Sequence, residues 1–227
     1  HVPATLDPAE AVALILNYVT AYQMLHRFAK VKAGNKVLIT GANGGVGTAL
    51  LQLGKLANLT MYATASQNKH DLLVEQGAIP IDYHNQNFVD VIHKAEPKGI
   101  DFVFDGIGGN TIPRAFKVLR RGGKLVEYGN SGFIALLLDL VKLQMLTWFS
   151  NGKSSEFYGI TGIYRKDKQP FMQDLPILFG LLQEGKLKPI IAAKFPILEA
   201  AKANELLESR NVNGKIVLLA PELLETS

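Results

Sequence analysis

The chain has 227 residues, of which 48% are apolar and 19% are charged, and this balance excludes a disordered segment because it can fill a core. The net charge of +4 is spread along the chain, which argues against a nucleic-acid-binding surface. The chain contains no cysteine, and its five histidines lack metal-binding spacing, so we expect neither a disulfide nor a metal site.

The most apolar stretch, residues 134–149, has 16 residues and contains Asp139 and Lys142. It is shorter and more polar than the ~20 apolar residues of a membrane span, and we expect a buried or interface helix there. The first residues show no basic segment followed by an apolar stretch and a cleavage site. Nothing therefore indicates secretion, and a cytoplasmic location is favoured.

Strand and helix patterns alternate from residue 36 onward, after a helical segment at residues 7–30. Such alternation predicts a parallel sheet covered by helices, a doubly wound α/β fold. Right-handed crossovers give a six-stranded Rossmann sheet in the order 3-2-1-4-5-6. The predicted strands are residues 36–40, 60–65, 79–83, 101–105, 124–129 and 157–164, and the predicted helices between them are residues 46–56, 69–76, 88–95 and 111–119.

Residues 190–219 lie outside this alternation and predict a strand, a helix and a final strand. The final strand begins after Gly214 and is strongly apolar, so it needs a sheet to join. Either it pairs with residues 190–196, or its partner lies outside this chain.

A glycine-rich loop, ITGANGGVG at residues 39–47, joins the first strand to a helix. Four glycines cost backbone entropy unless something approaches the main chain closely. The loop fits the dinucleotide fingerprint GxGxxG with Ala42 first, Gly44 beside the pyrophosphate and Gly47 packing helix on strand. A glycine-rich turn without a ligand is the alternative. The helix N-terminus adds free N–H groups, and we predict that cofactor phosphates contact Asn43, Gly44, Gly45 and Val46.

The same letters also fit the TGxxxGxG fingerprint of short-chain dehydrogenases, and Tyr164 with Lys168 forms a YxxxK pair. Two features argue against that family. Its fingerprint opens the chain, whereas a helical segment comes first here. Its tyrosine and lysine share one helix, whereas Tyr164 ends a predicted strand. We interpret both residues as exposed at a strand end.

Four segments resemble the medium-chain dehydrogenase/reductase superfamily: residues 19–22 (VTAY), 32–47, 185–189 (GKLKP) and 214–218 (GKIVL). Within it the chain most resembles the zinc-free quinone oxidoreductase branch. Its TASQNKH and IDYH segments are similar to the group around synaptic vesicle membrane protein VAT-1. The resemblance covers nearly the whole chain.

The resemblance also implies a domain organisation. Members begin with a GroES-like catalytic domain of ~100 residues, and this sequence starts at the linker that follows it. We therefore expect residues 1–35 to be a linker and helices, residues 36–189 to be an NADP-binding Rossmann domain, and residues 190–227 to return towards the absent domain.

The end of the second strand predicts the cofactor. An NAD-preferring site places an acid there, about 20 residues past the glycines, to bind the ribose 2′-OH. Here Ser66 occupies that position and Lys69 follows it, and a hydroxyl with an ammonium suits a 2′-phosphate. NADPH is therefore favoured over NADH. In the family, residues that match Ser66, Lys69 and Tyr83 hold this phosphate.

Glycines also follow the fourth and fifth strands, where they leave room for the nicotinamide ribose. Asn130 can hydrogen-bond a carboxamide or a ribose. The resemblance implies that Thr20 lies near the nicotinamide. Plain turn residues are the alternative for each of these positions. The further predicted cofactor-binding residues are thus Thr20, Asp105, Ile107, Gly129, Asn130 and Ser131.

Zinc alcohol dehydrogenases of the superfamily place a cysteine ligand four residues before the threonine that matches Thr20, and here that position is Leu16. The resemblance thus implies a zinc-independent reductase that transfers hydride from NADPH to a quinone or an electron-poor alkene. No catalytic residue is assigned, because the proton donor would come from the absent domain. In the family, the strand at residues 157–164 pairs with its twin, which implies a homodimer.

Two other functions stay open. One is a VAT-1-like protein in which the nucleotide fold serves interaction or trafficking, with little catalysis. The other is the enoyl-reductase module of a polyketide or fatty-acid synthase, whose gene would extend far beyond either end.

Overall fold

A parallel sheet of six strands forms the centre of the computed structural model, which describes residues 2–129, 132–150, 152–209 and 211–223. Its order is β3-β2-β1-β4-β5-β6, and every neighbouring pair is parallel, so the predicted Rossmann order is confirmed. The strands are β1 Lys36–Thr40, β2 Thr60–Ala65, β3 Ala78–Asp82, β4 Ile100–Asp105, β5 Leu119–Tyr128 and β6 Ser154–Tyr158.

Helices cover both faces of this sheet. Successive side chains of a strand point to opposite faces, and in β1 Val37 and Ile39 join one apolar cluster while Leu38 joins the other. The helices after β1 are α3 Gly45–Leu56, α4 His70–Glu75, α5 Phe88–Ala95, α6 Thr111–Val118, α7 Phe133–Phe149, α8 Ile160–Lys166 and α9 Gln169–Gln183.

A helical segment precedes β1 and packs against α3 and α9. It consists of α1 Pro8–Ala13, a π-helical turn Leu14–Tyr18, α2 Val19–Gln23 and a second π-helical turn Met24–Ala29. A bidentate ion pair between Arg27 and the buried Asp174 holds it on α9, with N–O distances of 2.8 and 2.6 Å. Gln23 donates to the same carboxylate (2.8 Å) and accepts from the Tyr158 hydroxyl (2.7 Å), which fixes the segment to the sheet as well.

The prediction of a strand at residues 157–164 is wrong. The strand ends at Tyr158, and the residues after Gly159 form α8. Ile160 and Ile163 pack on the core, and Tyr164 lies edge-on against Phe171 with ring centroids 5.3 Å apart. Apolar residues at positions i, i+3 and i+4 are the helical period, which the β-branched composition of the segment conceals.

Tyr164 therefore lies in a helix and not at a strand end. Lys168 lies beyond the end of α8, with its ammonium 5.6 Å from the centre of the Tyr164 ring. The two residues do not share one helix, so the short-chain dehydrogenase arrangement is not formed.

Strand β5 is longer than predicted and begins five residues earlier, at Leu119. Gly122, which follows the predicted helix and precedes the predicted strand, lies inside β5 with φ +77°, and the register with β4 shifts between Ile100 and Phe102. A left-handed glycine lets the strand continue through this irregularity.

The C-terminal segment forms a smaller unit beside the main sheet. Strands β7 Ile191–Pro196 and β8 Lys215–Leu219 pair in parallel, and α10 Ala200–Glu208 connects them. Of the two alternatives for the final strand, pairing with residues 190–196 is the one that is formed. A parallel bridge between Gly44 and Gly214 joins this unit to the glycine-rich loop.

Candidate functional site

The glycine-rich loop lies between β1 and α3, at the edge where the carboxyl ends of the parallel strands meet. A Cβ built on Gly47 would lie 2.5 Å from the Gly41 carbonyl oxygen and 2.7 Å from the Ala42 main chain. A Cβ on Gly44 would meet only the Gly41 oxygen, at 3.4 Å. Gly47 is thus required by the packing of α3 on the loop, whereas Gly44 leaves an open surface that the chain itself does not need.

The N-terminus of α3 faces the same open surface. Gly44 is its N-cap and offers no side chain, while its carbonyl accepts the first helical bond from Thr48 at 2.8 Å. The first-turn N–H groups of a helix have no partner within the helix, and the helix dipole adds partial positive charge. Gly45 and Val46 therefore present donors that suit an anionic group.

The side chain of Asn17 lies directly against this first turn. It comes from the π-helical turn Leu14–Tyr18, and its Nδ2 would be 2.3 Å from a Cβ on Gly45. Sequence analysis did not identify Asn17. The available signal was Gly45 itself, a glycine inside a helix that does not adopt a left-handed conformation.

The end of β2 carries the predicted phosphate-binding residues. The Ser66 hydroxyl hydrogen-bonds the Asn68 side-chain oxygen at 2.7 Å. The half-buried Lys69 ammonium donates to the Asn211 carbonyl at 3.0 Å. Tyr83, 55% exposed, lies against the His84 ring with centroids 4.3 Å apart. A hydroxyl, an ammonium and a phenol thus lie near the ends of two neighbouring strands.

Asp82, at the end of β3 and in register with Ala65 of β2, has a carboxylate that is occupied by its own turn. It accepts from the His84 N–H at 3.1 Å and from the Asn85 amide at 2.6 Å. The hydrogen bond from the His84 N–H is the main cause that holds the pKa of Asp82 below its ordinary value. This carboxylate therefore does not take the place of an acid at the end of β2.

The segment just before β8 forms one wall of the loop, which the sequence did not predict. The Gly214 N–H donates to the Asn43 carbonyl at 2.8 Å, and the Asn43 amide donates to the Val212 carbonyl at 3.3 Å. With the bond from Lys69 to Asn211, the segment contacts both the loop and the end of β2. The final strand unit is therefore part of the site and not only a flank.

Asp105 at the end of β4 is fully buried and shapes the turn that follows it. One carboxylate oxygen accepts from the Thr40 hydroxyl at 2.5 Å and from the Ile107 N–H at 3.0 Å. The Gly106 N–H donates back to the Thr40 hydroxyl at 3.1 Å. Ile107 in contrast is 58% exposed and reaches over Gly41. Of these two predicted residues, only Ile107 presents its side chain to the open edge.

Three acidic side chains meet behind this turn, and sequence analysis missed the cluster. Glu127 on β5 lies beside Asp105 in register and hydrogen-bonds Asp139 of α7. Burial, followed by the charges of Asp139 and Asp105, raises the pKa of Glu127 to about 8. Burial also raises the pKa of Asp105. Glu127 is therefore protonated at neutral pH.

Asp139 is the member of the cluster whose ionised form is stabilised by hydrogen bonds. Burial opposes its ionisation, but hydrogen bonds from Lys142 (2.9 Å) and the Gly109 N–H (3.0 Å) outweigh it and hold its pKa below the ordinary value. Through the Gly109 bond this carboxylate fixes the loop after β4. The acidic cluster thus positions the loop after β4, which lies at the carboxyl edge of the sheet.

The other predicted residues are placed as follows. Thr20 is only 6% exposed and hydrogen-bonds the Tyr158 hydroxyl, so its side chain lies under the edge. Gly129 follows β5 with φ +93° and is exposed. Asn130 and Ser131 lie outside the described residues.

The described residues contain no group of three or more His, Asp or Glu side chains that could hold a metal ion. Across those same ranges, no helix is both long enough and apolar enough to cross a membrane.

The sequence model of one protein family, described as zinc-binding dehydrogenase, matches residues 76–218, which is more than half of the chain. The chain belongs to this family, within the medium-chain dehydrogenase/reductase superfamily. The resemblance predicted from the four sequence segments is therefore confirmed.

Individual members are similar over nearly the whole chain. A synaptic vesicle membrane protein VAT-1 homolog of Rattus norvegicus is 31% identical over 99% of this chain and 58% of its own length. A quinone oxidoreductase of the same species is 30% identical over 96% of this chain and 64% of its own length. The crystal structure of CurK enoyl reductase superposes with a TM-score of 0.85 at 27% identity, covering 96% of this chain and 64% of that one. The chain thus spans about three-fifths of these relatives.

Proposed function

We propose that this chain is the cofactor-binding part of a zinc-independent, NADPH-dependent reductase of quinones or enones. The observation that carries the proposal is the presence of both a hydroxyl, from Ser66, and an ammonium, from Lys69, just after β2 and beside an open glycine-rich loop. The nearby Asp82 carboxylate is occupied by its own turn. The relatives named quinone oxidoreductase and enoyl reductase support the reaction class.

Each part of the edge has a role in this proposal. The first-turn N–H groups of α3 bind the pyrophosphate, and the missing side chain of Gly44 lets it approach. Lys69, Ser66 and Tyr83 bind the 2′-phosphate. Ile107 and Gly129 border the nicotinamide at the ends of β4 and β5. A bound nicotinamide cofactor supplies the hydride, and these residues hold and orient it.

The proposed domain organisation follows from the relatives, which continue beyond the matched part. Residues 36–189 form the NADP-binding domain, while residues 1–35 and 190–227 connect it to a catalytic domain that supplies the substrate wall and the proton donor. Leu16 is half exposed and lies near the start of this connection. By the resemblance described above, it occupies the position at which zinc alcohol dehydrogenases of the superfamily have a cysteine ligand. A hydrophobic side chain there supports a reaction without zinc.

The first test concerns the 2′-phosphate. Lys69→Ala should weaken NADPH binding about tenfold, the size of one hydrogen bond between charged groups, and leave NADH binding nearly unchanged. Ser66→Asp should reverse the preference, because a carboxylate repels the phosphate and accepts from a free 2′-OH. Fluorescence titration with both dinucleotides measures the ratio.

Lys186→Ala is the matched control for the change of charge. Lys186 lies in the turn before β7, beside the C-terminal end of α3 and therefore roughly 18 Å, one helix length, from the glycine-rich loop. It should leave both affinities unchanged. If Lys69→Ala and Ser66→Asp keep the parent's ratio of affinities, the phosphate lies elsewhere and the NADPH assignment is wrong.

We also propose that the chain forms a homodimer through the open edge of β6. Among the described strands β6 pairs with β5 alone, and the end of α7 lies beside it, with the Thr147 and Ser155 hydroxyls 2.8 Å apart. Trp148 and Phe149 are 74% and 81% exposed at this point. An open strand flanked by exposed aromatic side chains is suited to pairing with a second copy.

Light scattering tests this assembly. The parent should have twice the chain mass of 24.8 kDa, and the double variant Trp148→Lys and Phe149→Lys should be monomeric. Leu198→Lys is the control, since Leu198 is 91% exposed in the C-terminal unit and its replacement should leave the dimer intact. A monomeric parent at high concentration contradicts the proposal.

A second candidate function is that of an interaction protein in which the nucleotide fold has little catalytic use. The similarity to the VAT-1 homologs and the exposed apolar side of α7 favour it. The dinucleotide titration separates the two candidates, because the interaction protein need not bind NADPH.

A further inference from the structure

Gly45 is a glycine whose presence the fold of α3 alone does not explain. It lies in the first turn of the helix and does not have a positive φ, so its backbone conformation is open to any residue. Glycine is among the poorest helix formers. The three atoms nearest to a Cβ built there are Nδ2, Cγ and Oδ1 of Asn17, at 2.3, 3.1 and 3.5 Å. Gly45 therefore makes room for one particular side chain.

Asn17 is held in this place by its neighbour. Tyr18, the next residue, is buried, and its hydroxyl donates to the Gln52 side-chain oxygen on α3 at 3.0 Å. Gln52 in turn bonds both the N–H and the carbonyl of Lys188. This network fixes the π-helical turn Leu14–Tyr18 on α3, and with it the direction of Asn17.

The amide of Asn17 has no hydrogen-bond partner among the residues that the structure describes, and Asn17 itself is half-buried. Its carboxamide lies at the helix end where Gly44 leaves an open surface. Two adjacent positions without side chains thus serve two purposes: Gly44 leaves space for a ligand, and Gly45 leaves space for an amide that can contact it.

We propose that Asn17 donates a hydrogen bond from its side-chain amide to the pyrophosphate of the cofactor, beside the first-turn N–H groups of α3. This inference rests on the proposed function. An amide has two N–H donors, and bonds to a charged oxygen are the stronger class. Asn17 is in this role a binding residue outside the glycine-rich loop, contributed by the helical segment that precedes the sheet.

Two substitutions of similar volume separate binding from packing. Asn17→Leu fills the space without a donor, and it should weaken NADPH and NADH by the same factor, about tenfold. Asn17→Asp keeps the shape but places a negative charge beside the pyrophosphate, so its loss should be larger for both dinucleotides. Binding of 2′-AMP, which has the 2′-phosphate but no pyrophosphate, should stay at the parent's value.

This pattern differs from that of Lys69→Ala, which changes the ratio of the two dinucleotides. A third variant, Gly45→Ala, should displace the Asn17 amide and also weaken both dinucleotides, so the test does not depend on the folding of the Asn17 variants. If these variants bind NADPH and NADH like the parent, or lose NADPH alone, the inference is overturned. A parent that binds neither dinucleotide instead overturns the proposed function itself.

Discussion

Gly47→Ala should destabilise the chain by about 3 kcal/mol, although alanine is the better helix former. The new Cβ would lie 2.5 Å from the Gly41 carbonyl oxygen and 2.7 Å from main-chain atoms of Ala42. Backbone atoms cannot rotate away as a side chain can, so α3 must move off the loop. Because Leu50 and Leu51 of this helix are fully buried, that movement disturbs the core on one face of the sheet.

Gly180→Ala is the matched control. Gly180 lies inside α9 without a left-handed conformation, and no atom lies within 4 Å of a Cβ built there. The same substitution should therefore stabilise the chain, by about 0.5 to 1 kcal/mol. Urea denaturation followed by circular dichroism measures both variants. Equal effects at the two positions would show that close packing at Gly47 does not decide the outcome.

Much of the fold follows from local patterns in the sequence. Strands β1 and β2 have the predicted bounds, because short runs rich in apolar and β-branched residues between turn residues are typical of buried parallel strands. The order of the sheet then follows from the handedness of the crossovers, which depends on no particular residue. The glycine-rich loop was predicted for the same reason, since its spacing is local.

The errors arose where the local pattern had two meanings. The residues after Gly159 combine isoleucine, glycine and tyrosine, a composition that favours a strand, while the spacing of Ile160, Ile163 and Tyr164 favours a helix. Contacts with the core and with Phe171 decide for the helix. At Gly122 the structure is instead more strand-like than the composition suggests. Pairing with β4 continues β5 through a glycine, a residue that usually weakens or ends a strand.

The contacts missed at the site are all distant in sequence. Asn17 meets Gly45, Lys69 meets Asn211, and Glu127 meets Asp139 only after the sheet has formed. No spacing motif can record such pairs. The sequence does contain residues that are unfavourable for their own element, such as a glycine in a helix or an acid in an apolar strand. Such residues indicate the positions where a contact with a distant part of the chain should be tested.

Glu127→Gln should remove a large part of the pH dependence of stability. In the folded chain Glu127 titrates near pH 8, whereas its ordinary value is 4.5, so the folded state holds a proton that the unfolded state has released. Between these two values the free energy of unfolding of the parent should fall as pH rises, with a slope of at most about 1.4 kcal/mol per pH unit. Above pH 8 both states are ionised and the slope from this group ends.

Glutamine retains the shape of the protonated acid and can still donate to Asp139. The variant should therefore match the parent near pH 5 and exceed it by about 2 to 4 kcal/mol at pH 8, because only in the parent is the unfolded state favoured by ionisation of Glu127 over this range. Lys142→Met gives a contrasting shift. The Lys142 charge lowers the pKa of Glu127, so its removal should carry the decline to higher pH.

Urea denaturation from pH 5 to 9 measures these curves. A parent with constant stability between pH 5 and 8, or a Glu127→Gln variant with the parent's slope, would show that Glu127 is already ionised in the folded chain. Because Asp139 also holds the Gly109 N–H, ionisation of Glu127 beside it should loosen the loop after β4. Cofactor affinity should then decline in the parent as the pH rises through about 8 and stay constant in Glu127→Gln, which connects the buried acid to the open edge where Ile107 lies.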